Sequence, residues 1–307
     1  MLRIAKGTKI TWYDLESPTA EDVLKLKGEL SVHPLVLDEL IPQVRHPKLD
    51  MYGSHLFLVL TIPTLEPQNG THLTVRLDEL DIIFGTSWVV TSHYRELQPV
   101  NELFAQTQNE RKEHIEYLDN EDPATLIYAI LSRILREAIT SLGVIEERID
   151  GIERSVFSKR QRELVSELSE LRHTIIDFRR ALSPSRPVFR ALDDAGPALL
   201  GTETLPYFRN LTGRIEQIAT LISTLKDTIE ALVETNQALL TTRTNDIVRT
   251  FTVVTALLLP PALVTSIFSM NLEYPFQVST NSFWLVNGVA VATVIIPWLF
   301  LKKRNWL

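Results

Sequence analysis

The chain has no cysteine among its 307 residues, which excludes disulfide bonds and thiolate metal sites. Its seven histidines show neither the HxxxH nor the HExxH spacing of common zinc sites. No phosphate-binding loop and no nucleophile with a nearby base is recognisable, so we expect neither an enzyme nor a nucleotide-driven pump. The formal net charge of −7 argues against a nucleic-acid-binding surface. Met1 is not followed by a long apolar run, so we expect no signal peptide.

Charged residues are missing from two stretches near the C-terminus, although they make up 22% of the chain. Residues 250–272 contain none, and neither do residues 274–301. A helix of about 20 apolar residues is long enough to cross the hydrocarbon core of a bilayer. We therefore predict transmembrane helix 1 at 250–272 and transmembrane helix 2 at 283–301. The short loop at 273–282 requires the two helices to form an antiparallel hairpin.

Basic residues lie on only one side of this predicted hairpin. Arg243 and Arg249 precede the first span, and three basic residues lie in the tail at 302–307, whereas the loop at 273–282 contains no Lys or Arg. Positive charges favour the cytosolic side of a membrane. We therefore expect a multi-pass protein of the cell membrane with both termini in the cytosol and the loop outside.

The region before the spans divides into a mixed part and a helical part. Residues 1–122 contain β-like runs, such as HLFLVLTIP from His55 and WVVTSH from Trp88, together with helix-like segments. From residue 123 the pattern is helical, with apolar residues three and four apart and a break at SPSRP, residues 183–187. We predict an α+β cytosolic domain at 1–122 and a helical hairpin at 123–205, with a link containing proline and glycine at 196–206.

An apolar stripe runs through residues 206–249, which we predict to be a stalk helix that continues into the membrane. No proline or strong stop interrupts the chain between Gly213 and Pro260. The stripe repeats every three or four residues, at Phe208, Leu211, Ile215, Ile218, Ile222, Leu225, Ile229, Leu232, Asn236 and Leu239. Two interpretations remain open, and both could hold at different heights. The stripe supports a five-fold oligomer, or it packs within its own subunit against the helix at 164–182.

The same spacing continues into the first span. Steps of three or four from Asn245 reach Val248, Phe251, Thr255, Leu259, Ala262, Ser266 and Ser269. This face is mixed and becomes small towards its outer end, which is typical of a pore lining. The opposite face is wholly apolar, with Val253, Leu257, Val264 and Ile267. Pro260 and Pro261 lie mid-span, where they either kink the helix or shape a pore.

The end of the first span carries a motif. Ser269-Met270-Asn271 resembles the Gly-Met-Asn triplet that closes the first span of CorA-type divalent cation transporters. Four further segments are similar to patterns of that family: HPLVLDELIPQVRHPKLDMYGSHLFLVL from His33, LPYFRN from Leu205, TNDIV from Thr244, and the C-terminal LKKRNWL. The resemblance covers almost the whole chain.

This resemblance implies a homopentamer in a lipid membrane, in which five stalk helices form a cytosolic funnel and five first spans line one pore. It implies a selectivity filter of Ser269, Met270 and Asn271, with Asn271 at the outer entrance. It places Asn245 at the cytosolic end, and apolar constrictions at Val248, Phe251 and Leu259, with Thr255, Ala262 and Ser266 also lining the pore.

The implied cargo is Mg²⁺ or a related divalent cation, and no resident cofactor is expected. Mg²⁺ gives up its water reluctantly, so amide oxygens of Asn271 can hydrogen-bond the hydrated ion without dehydrating it. Apolar rings below can gate the pore by dewetting. Glu273, just outside, either concentrates cations weakly or is a solvated loop acid.

Two positions depart from the family pattern. Serine stands at 269 in place of glycine, which permits φ > 0, so Ser269 either adopts a tolerated conformation or carries modest strain. Asn210 stands where well-known members have an acid that helps to hold a regulatory cation. Asn210 has no charge, so we expect weak inhibition by Mg²⁺ and stronger inhibition after Asn210→Asp. The alternatives are a zinc or cobalt transporter of the same fold, or a membrane-anchored scaffold or sensor that does not conduct.

Overall fold

The computed structural model describes residues 1–43, 46–68, 72–108, 122–155, 161–270 and 280–304. The chain forms two compact units, Met1–Val233 and Glu234–Leu307. The long helix α7 (Leu205–Phe268) contributes residues to both units.

The first unit contains a six-stranded mixed sheet. Its strands are β1 (Leu2–Lys6), β2 (Thr11–Glu16), β3 (Lys48–Met51), β4 (Leu56–Gln68), β5 (His72–Phe84) and β6 (Trp88–His93). The order across the sheet is β1-β2-β6-β5-β4-β3, and β2 and β6 are the parallel pair. The β-like runs predicted from His55 and from Trp88 are confirmed as β4, which extends further, and β6.

One face of the sheet is covered by α1 (Ala20–Glu29) and α2 (Pro34–Glu39). A capping box starts α1, because the Thr19 hydroxyl accepts from the Asp22 N–H at 3.2 Å while the Asp22 carboxylate accepts from the Thr19 N–H at 3.2 Å. Alternate strand residues point to the same face, so Val59 and Ile83 reach one core with Leu37 of α2. This core fixes the α+β fold predicted for the N-terminal part.

Among the described residues of the first unit, the sheet and the first two helices are followed by α3 (Gln98–Gln108), α4 (Pro123–Ser155), α5 (Gln161–Leu182), α6 (Ser185–Leu200) and a short 3-10 helix (Thr202–Thr204). The break predicted at 183–187 is confirmed at residues 183–184, between the end of α5 and the start of α6, whereas residues 185–187 belong to α6. The region 123–205, which the sequence predicts to be a helical hairpin, therefore contains a third helix, α6. The link predicted at 196–206 is wrong over residues 196–200, which belong to α6, and over residues 205–206, which begin α7. Gly196 marks close packing there, since a Cβ would lie 2.4 Å from the Phe208 ring.

The apolar stripe of α7 is buried within a single chain. Its members up to residue 232 are at most 7% exposed: Phe208, Leu211, Ile215, Ile218, Ile222, Leu225, Ile229 and Leu232. We call these residues the buried stripe. Helix α6 supports the start of α7, because Arg186 and Arg190 both pair with Glu216. The interpretation that the stripe packs within its own subunit is therefore supported, and the buried stripe no longer argues for a contact between copies.

The second unit consists of the C-terminal part of α7 and helix α8 (Thr280–Lys303). Among the described residues, two helical segments are long and apolar enough to cross a membrane, one ending at Phe268 and one spanning Phe283–Lys303. Only 6% and 0% of their most apolar windows are buried by the chain. A core helix of a water-soluble domain would be covered, so this exposure favours two membrane spans.

Each of these two helices has one less exposed face. On α7, Val253 is buried and Ala256, Leu257, Pro260, Pro261 and Val264 are half-buried; on α8, Val286, Ala290, Thr293, Val294 and Pro297 are half-buried. We call the α7 set the covered face. It includes three of the four residues of the predicted apolar face, whereas Ile267 is 48% exposed.

Candidate pore-lining surface

The predicted pore residues of α7 share one exposed face. We call this set the pore face: Asn245, Val248, Phe251, Thr255, Leu259, Ala262, Ser266 and Ser269, all of which are exposed in the single chain. Phe251 is 70% exposed and Leu259 is 62% exposed. At about 100° per residue the pore face lies roughly opposite the covered face. The single chain therefore leaves exposed the surface that the sequence predicts to line a pore.

A groove of about 500 Å³ runs from this face to Ala256 and Pro260 at the edge of the covered face. Its lining is Val248, Phe251, Thr252, Thr255, Ala256, Leu259 and Pro260. The sequence pattern predicts Val248, Phe251, Thr255 and Leu259 as pore residues but does not identify the other three groove residues. Steps of four from Val248 reach Thr252, Ala256 and Pro260, so a second i,i+4 row was the signal that would have found them.

Two hydroxyl groups of the groove are tied to the helix backbone. Thr252 donates to the Val248 carbonyl at 2.8 Å, and Thr255 donates to the Phe251 carbonyl at 2.8 Å. A hydroxyl whose hydrogen is engaged keeps its oxygen lone pairs as acceptors. The waters around a metal cation present their hydrogens outwards. The pore face thus offers acceptors that suit a hydrated cation.

Ser269 adopts a conformation that serine tolerates. Its N–H donates to the Thr265 carbonyl at 3.0 Å, and its hydroxyl donates to the same oxygen at 2.7 Å. Among the described non-glycine residues, Ser17 is the one with positive φ. The absence of glycine at 269 therefore causes no backbone strain. Met270 is 53% exposed, while Asn271 and Glu273 lie outside the described residues.

Asn210 is held by donors of its own chain. The Tyr128 hydroxyl donates to Asn210 Oδ1 at 3.2 Å, and Arg214 Nε donates to the same oxygen at 3.0 Å. The rings of Tyr128 and Tyr207 lie 5.4 Å apart between centroids. A guanidinium cation repels a metal ion, so within a single chain Arg214 disfavours a cation beside Asn210. Within the described part of the chain, no group of three or more Asp, Glu or His could hold a metal.

One buried cluster of the first unit contains the residue types of a hydrolase site. Asp14, Thr91 and His93 are each 0% exposed. Thr91 donates to Asp14, Trp12 Nε1 donates to Thr91 Oγ1 at 2.9 Å, and His93 Nε2 lies 3.4 Å from Asp14 Oδ1. Burial opposes charge on both, yet their pairing lowers the pKa of Asp14 and raises the pKa of His93. A cluster closed to solvent cannot meet a substrate, so its role is structural.

Comparison with known proteins agrees with this geometry. Residues 7–303 match the family described as CorA-like Mg²⁺ transporter protein, and the chain therefore belongs to that family. The cobalt/magnesium transport protein CorA of Thermotoga maritima is 24% identical over 303 residues, which cover 97% of this chain and 83% of that relative.

Solved structures confirm the predicted fold. The complete structure of the CorA magnesium transporter from Methanocaldococcus jannaschii matches with a TM-score of 0.82 at 20% identity, covering 97% of this chain and 92% of that chain. The cytoplasmic domain of ZntB from Vibrio parahaemolyticus matches with a TM-score of 0.62 at 14% identity, covering 76% and 89%. The α+β domain, the long helix and the two candidate spans are thus the CorA architecture.

Proposed function

We propose that this chain conducts Mg²⁺ or a related divalent cation through a membrane as a homopentamer whose α7 helices line one central pore. The observation that carries the proposal is the pore face, which the chain leaves exposed opposite the covered face. Family membership supports the same function. A mixed row of apolar, hydroxyl and amide side chains suits a water-filled lumen better than contact with lipid.

The ion would move passively down its electrochemical gradient. A membrane potential contributes about 2.3 kcal/mol per charge per 100 mV, and twice that for a divalent ion. Asn271 would meet the hydrated ion at the outer mouth through its amide oxygen, beside Ser269 and Met270. Val248 and Phe251 would form an apolar gate near the cytosolic side, which blocks ions when it is dry.

We further propose that both termini are cytosolic and that residues 273–282 are extracytoplasmic. The end of α8 fits a membrane interface, because Lys302 Nζ lies 5.1 Å from the centre of the Trp298 ring. Tryptophan and lysine together are typical anchors at a membrane interface. The parts at 1–122 and 123–205, and the stalk at 206–249, would then all be cytosolic.

Zinc is the second candidate cargo, because the ZntB domain shares the fold. The described pore face offers hydroxyl and carbonyl oxygens but neither imidazole nor thiolate. Oxygen ligands suit the hard Mg²⁺ ion, whereas zinc prefers nitrogen and sulfur. The pore chemistry therefore favours Mg²⁺.

The test is cation influx into proteoliposomes that contain the purified full chain and an internal indicator dye. We expect Mg²⁺ influx that a negative internal potential accelerates, and a pentameric mass in detergent. Asn271→Ala should abolish influx without changing that mass. Zinc influx without Mg²⁺ influx would establish the second cargo, and no influx of Mg²⁺, Co²⁺ or Zn²⁺ would favour a non-conducting scaffold. A monomeric or dimeric mass would refute the pentamer.

A further inference from the structure

The first turn of α2 is held by two histidine rings. His33 precedes the helix and caps it, because its Nδ1 accepts from the Leu35 N–H at 3.3 Å. Pro34 follows at the first helical position, where a missing N–H leaves no donor unpaired. His55 lies just before β4, and its Nε2 accepts from the His33 backbone N–H at 3.3 Å. One ring thus caps the helix, and the other fixes the residue that carries the cap.

Both of these bonds require an uncharged imidazole. A backbone N–H can only donate, so His33 Nδ1 and His55 Nε2 must each present a lone pair. In His55 the ring proton is then on Nδ1, which lies 3.2 Å from Ser54 Oγ. An imidazolium carries a proton on both nitrogens and accepts no hydrogen bond. Protonation of either ring therefore turns an acceptor into a donor that faces another N–H.

The two rings belong to a stack of aromatic side chains. Tyr52 stacks on both, with ring centroids 4.9 Å from His33 and 5.5 Å from His55, and the Trp88 ring lies 5.9 Å from His55. His55 is 2% exposed, whereas His33 is exposed. Water therefore reaches the His33 ring, but it cannot readily replace the bond that the buried His55 ring makes.

Acid acts against this arrangement. Burial lowers the pKa of His55, and the charge of a protonated His33 lowers that pKa further. The unfolded chain takes up the proton at the ordinary histidine pKa of about 6.5. The stabilising contribution of His55 is therefore complete above that pH and declines as the pH falls towards its folded pKa. Burial raises the pKa of Tyr52, so this ring stays neutral in the same range; its charged neighbours are Asp50, Lys48 and Glu39.

We propose that His33 and His55 form an acid-sensitive clasp, which fixes the first turn of α2 at neutral pH and releases it when the imidazoles are protonated. The rest of α2 stays attached, because Leu37 is buried in the core and Glu39 pairs with Lys48 of β3. The clasp is thus a local switch and not the start of global unfolding. It lies wholly within the first unit, and it operates whether or not the pore conducts.

Hydrogen–deuterium exchange of the full chain in detergent tests the clasp at about pH 7.5 and about pH 5.5, on either side of the ordinary histidine pKa. Rates for residues 33–37 are corrected for the intrinsic rate at each pH. We expect protection of this segment to fall about twofold to thirtyfold on acidification, the effect of losing a helix cap. The double variant His33→Asn/His55→Gln keeps an acceptor oxygen near each imidazole nitrogen but does not titrate, so its protection should change less than about twofold.

Two other buried groups titrate with the opposite sign. Although burial opposes it, pairing with Asp14 raises the pKa of His93, and burial raises the pKa of Asp81. Both contributions to stability decline as the pH rises. Neither group can therefore cause a loss of protection on acidification.

The matched control is His173→Gln, because His173 is an exposed histidine of α5. This variant should lose protection at residues 33–37 as the unmodified protein does. Equal protection of the unmodified protein at both pH values would overturn the clasp, and so would a loss that the double variant retains or that His173→Gln removes. Should the double variant not fold, His33→Asn and His55→Gln are compared singly, and each should lessen the loss. The measurement needs no ion flux, so its failure leaves the pore proposal intact.

Discussion

Two stretches of the same helix follow the same spacing but differ in what covers them. In α7, the buried stripe runs from Phe208 to Leu232, and the pore face runs from Asn245 to Ser269. Phe208 is 0% exposed and Phe251 is 70% exposed. A repeat of three and four residues therefore shows that a helix has a distinct face, but it does not show which partner that face meets.

Composition separates the two stretches better than spacing does. The buried stripe contains only Phe, Leu and Ile up to Leu232, and charged residues such as Glu216 and Lys226 lie beside it. The pore face mixes apolar residues with Asn, Thr, Ala and Ser, and no charge lies beside it within the membrane. Burying a hydroxyl group without a hydrogen-bond partner is costly, so a stripe that mixes apolar and hydroxyl side chains makes a poor hydrophobic core. It can instead line a lumen that is sometimes wet.

The largest expected effect tests the buried stripe. Ile218 is 0% exposed, and Ile218→Ala should lower the free energy of unfolding by about 2 to 5 kcal/mol because it leaves a cavity. Phe251→Ala removes a larger side chain but should change stability by less than about 0.5 kcal/mol, as for a surface site. Chemical denaturation of the full chain in detergent measures both. Similar losses in the two variants would contradict the difference between the stretches.

The next effect tests the pore face as a gate. We expect Phe251→Ala, and likewise Val248→Ser, to raise basal Mg²⁺ influx severalfold, since a smaller or more polar ring wets more easily. Val254→Ala is the matched control, because Val254 is 46% exposed but lies outside the groove. Unchanged or lower influx in an intact oligomer would place the gate elsewhere.

Much of this comparison could be predicted from the residues. The continuity of α7 followed from the lack of a proline between Gly213 and Pro260, and the pore face followed from steps that begin at Asn245. The cover at the start of the buried stripe did not, because it depends on α6, whose Gly196 resembled a loop residue. That glycine admits the Phe208 ring, and such a contact between distant positions leaves no local pattern. The second row of groove residues does not follow from the steps that begin at Asn245, because those steps reach a single row.

A smaller effect concerns the start of α7. The sequence predicts that Asn210→Asp strengthens inhibition by Mg²⁺, but the structure adds Arg214, whose Nε lies 3.0 Å from Asn210 Oδ1. A new carboxylate would pair with this guanidinium four residues away. We therefore expect Asn210→Asp alone to change inhibition by millimolar Mg²⁺ less than about twofold. The exposed ion pair with Arg214 is weak, but it competes with a cation for the new carboxylate.

The double variant Asn210→Asp/Arg214→Ala provides the contrast. Removal of the guanidinium leaves the carboxylate free for a cation, so inhibition should strengthen only when both changes are present. Arg214→Ala alone is the control for lost packing. Strong Mg²⁺ inhibition of the unmodified protein would show that another acidic group senses the ion.

The smallest effect is expected at the outer end of the pore face. Glycine at 269 would restore a backbone that permits φ > 0, but Ser269 does not need one, since its φ is not positive. Ser269→Gly should therefore keep Mg²⁺ influx within about twofold and lower stability by about 0.5 to 1 kcal/mol, through added backbone freedom. Ser269→Ala removes the hydroxyl bond to Thr265 while keeping the Cβ, so it separates the two causes. Influx and thermal unfolding of the three proteins would be measured together.

If Ser269→Gly and Ser269→Ala both abolish influx, the serine oxygen is a working ligand of the filter. The outer end of the pore face would then select its ion by direct contact with the Ser269 oxygen. Co²⁺ and Zn²⁺ would have to be tested again as the cargo.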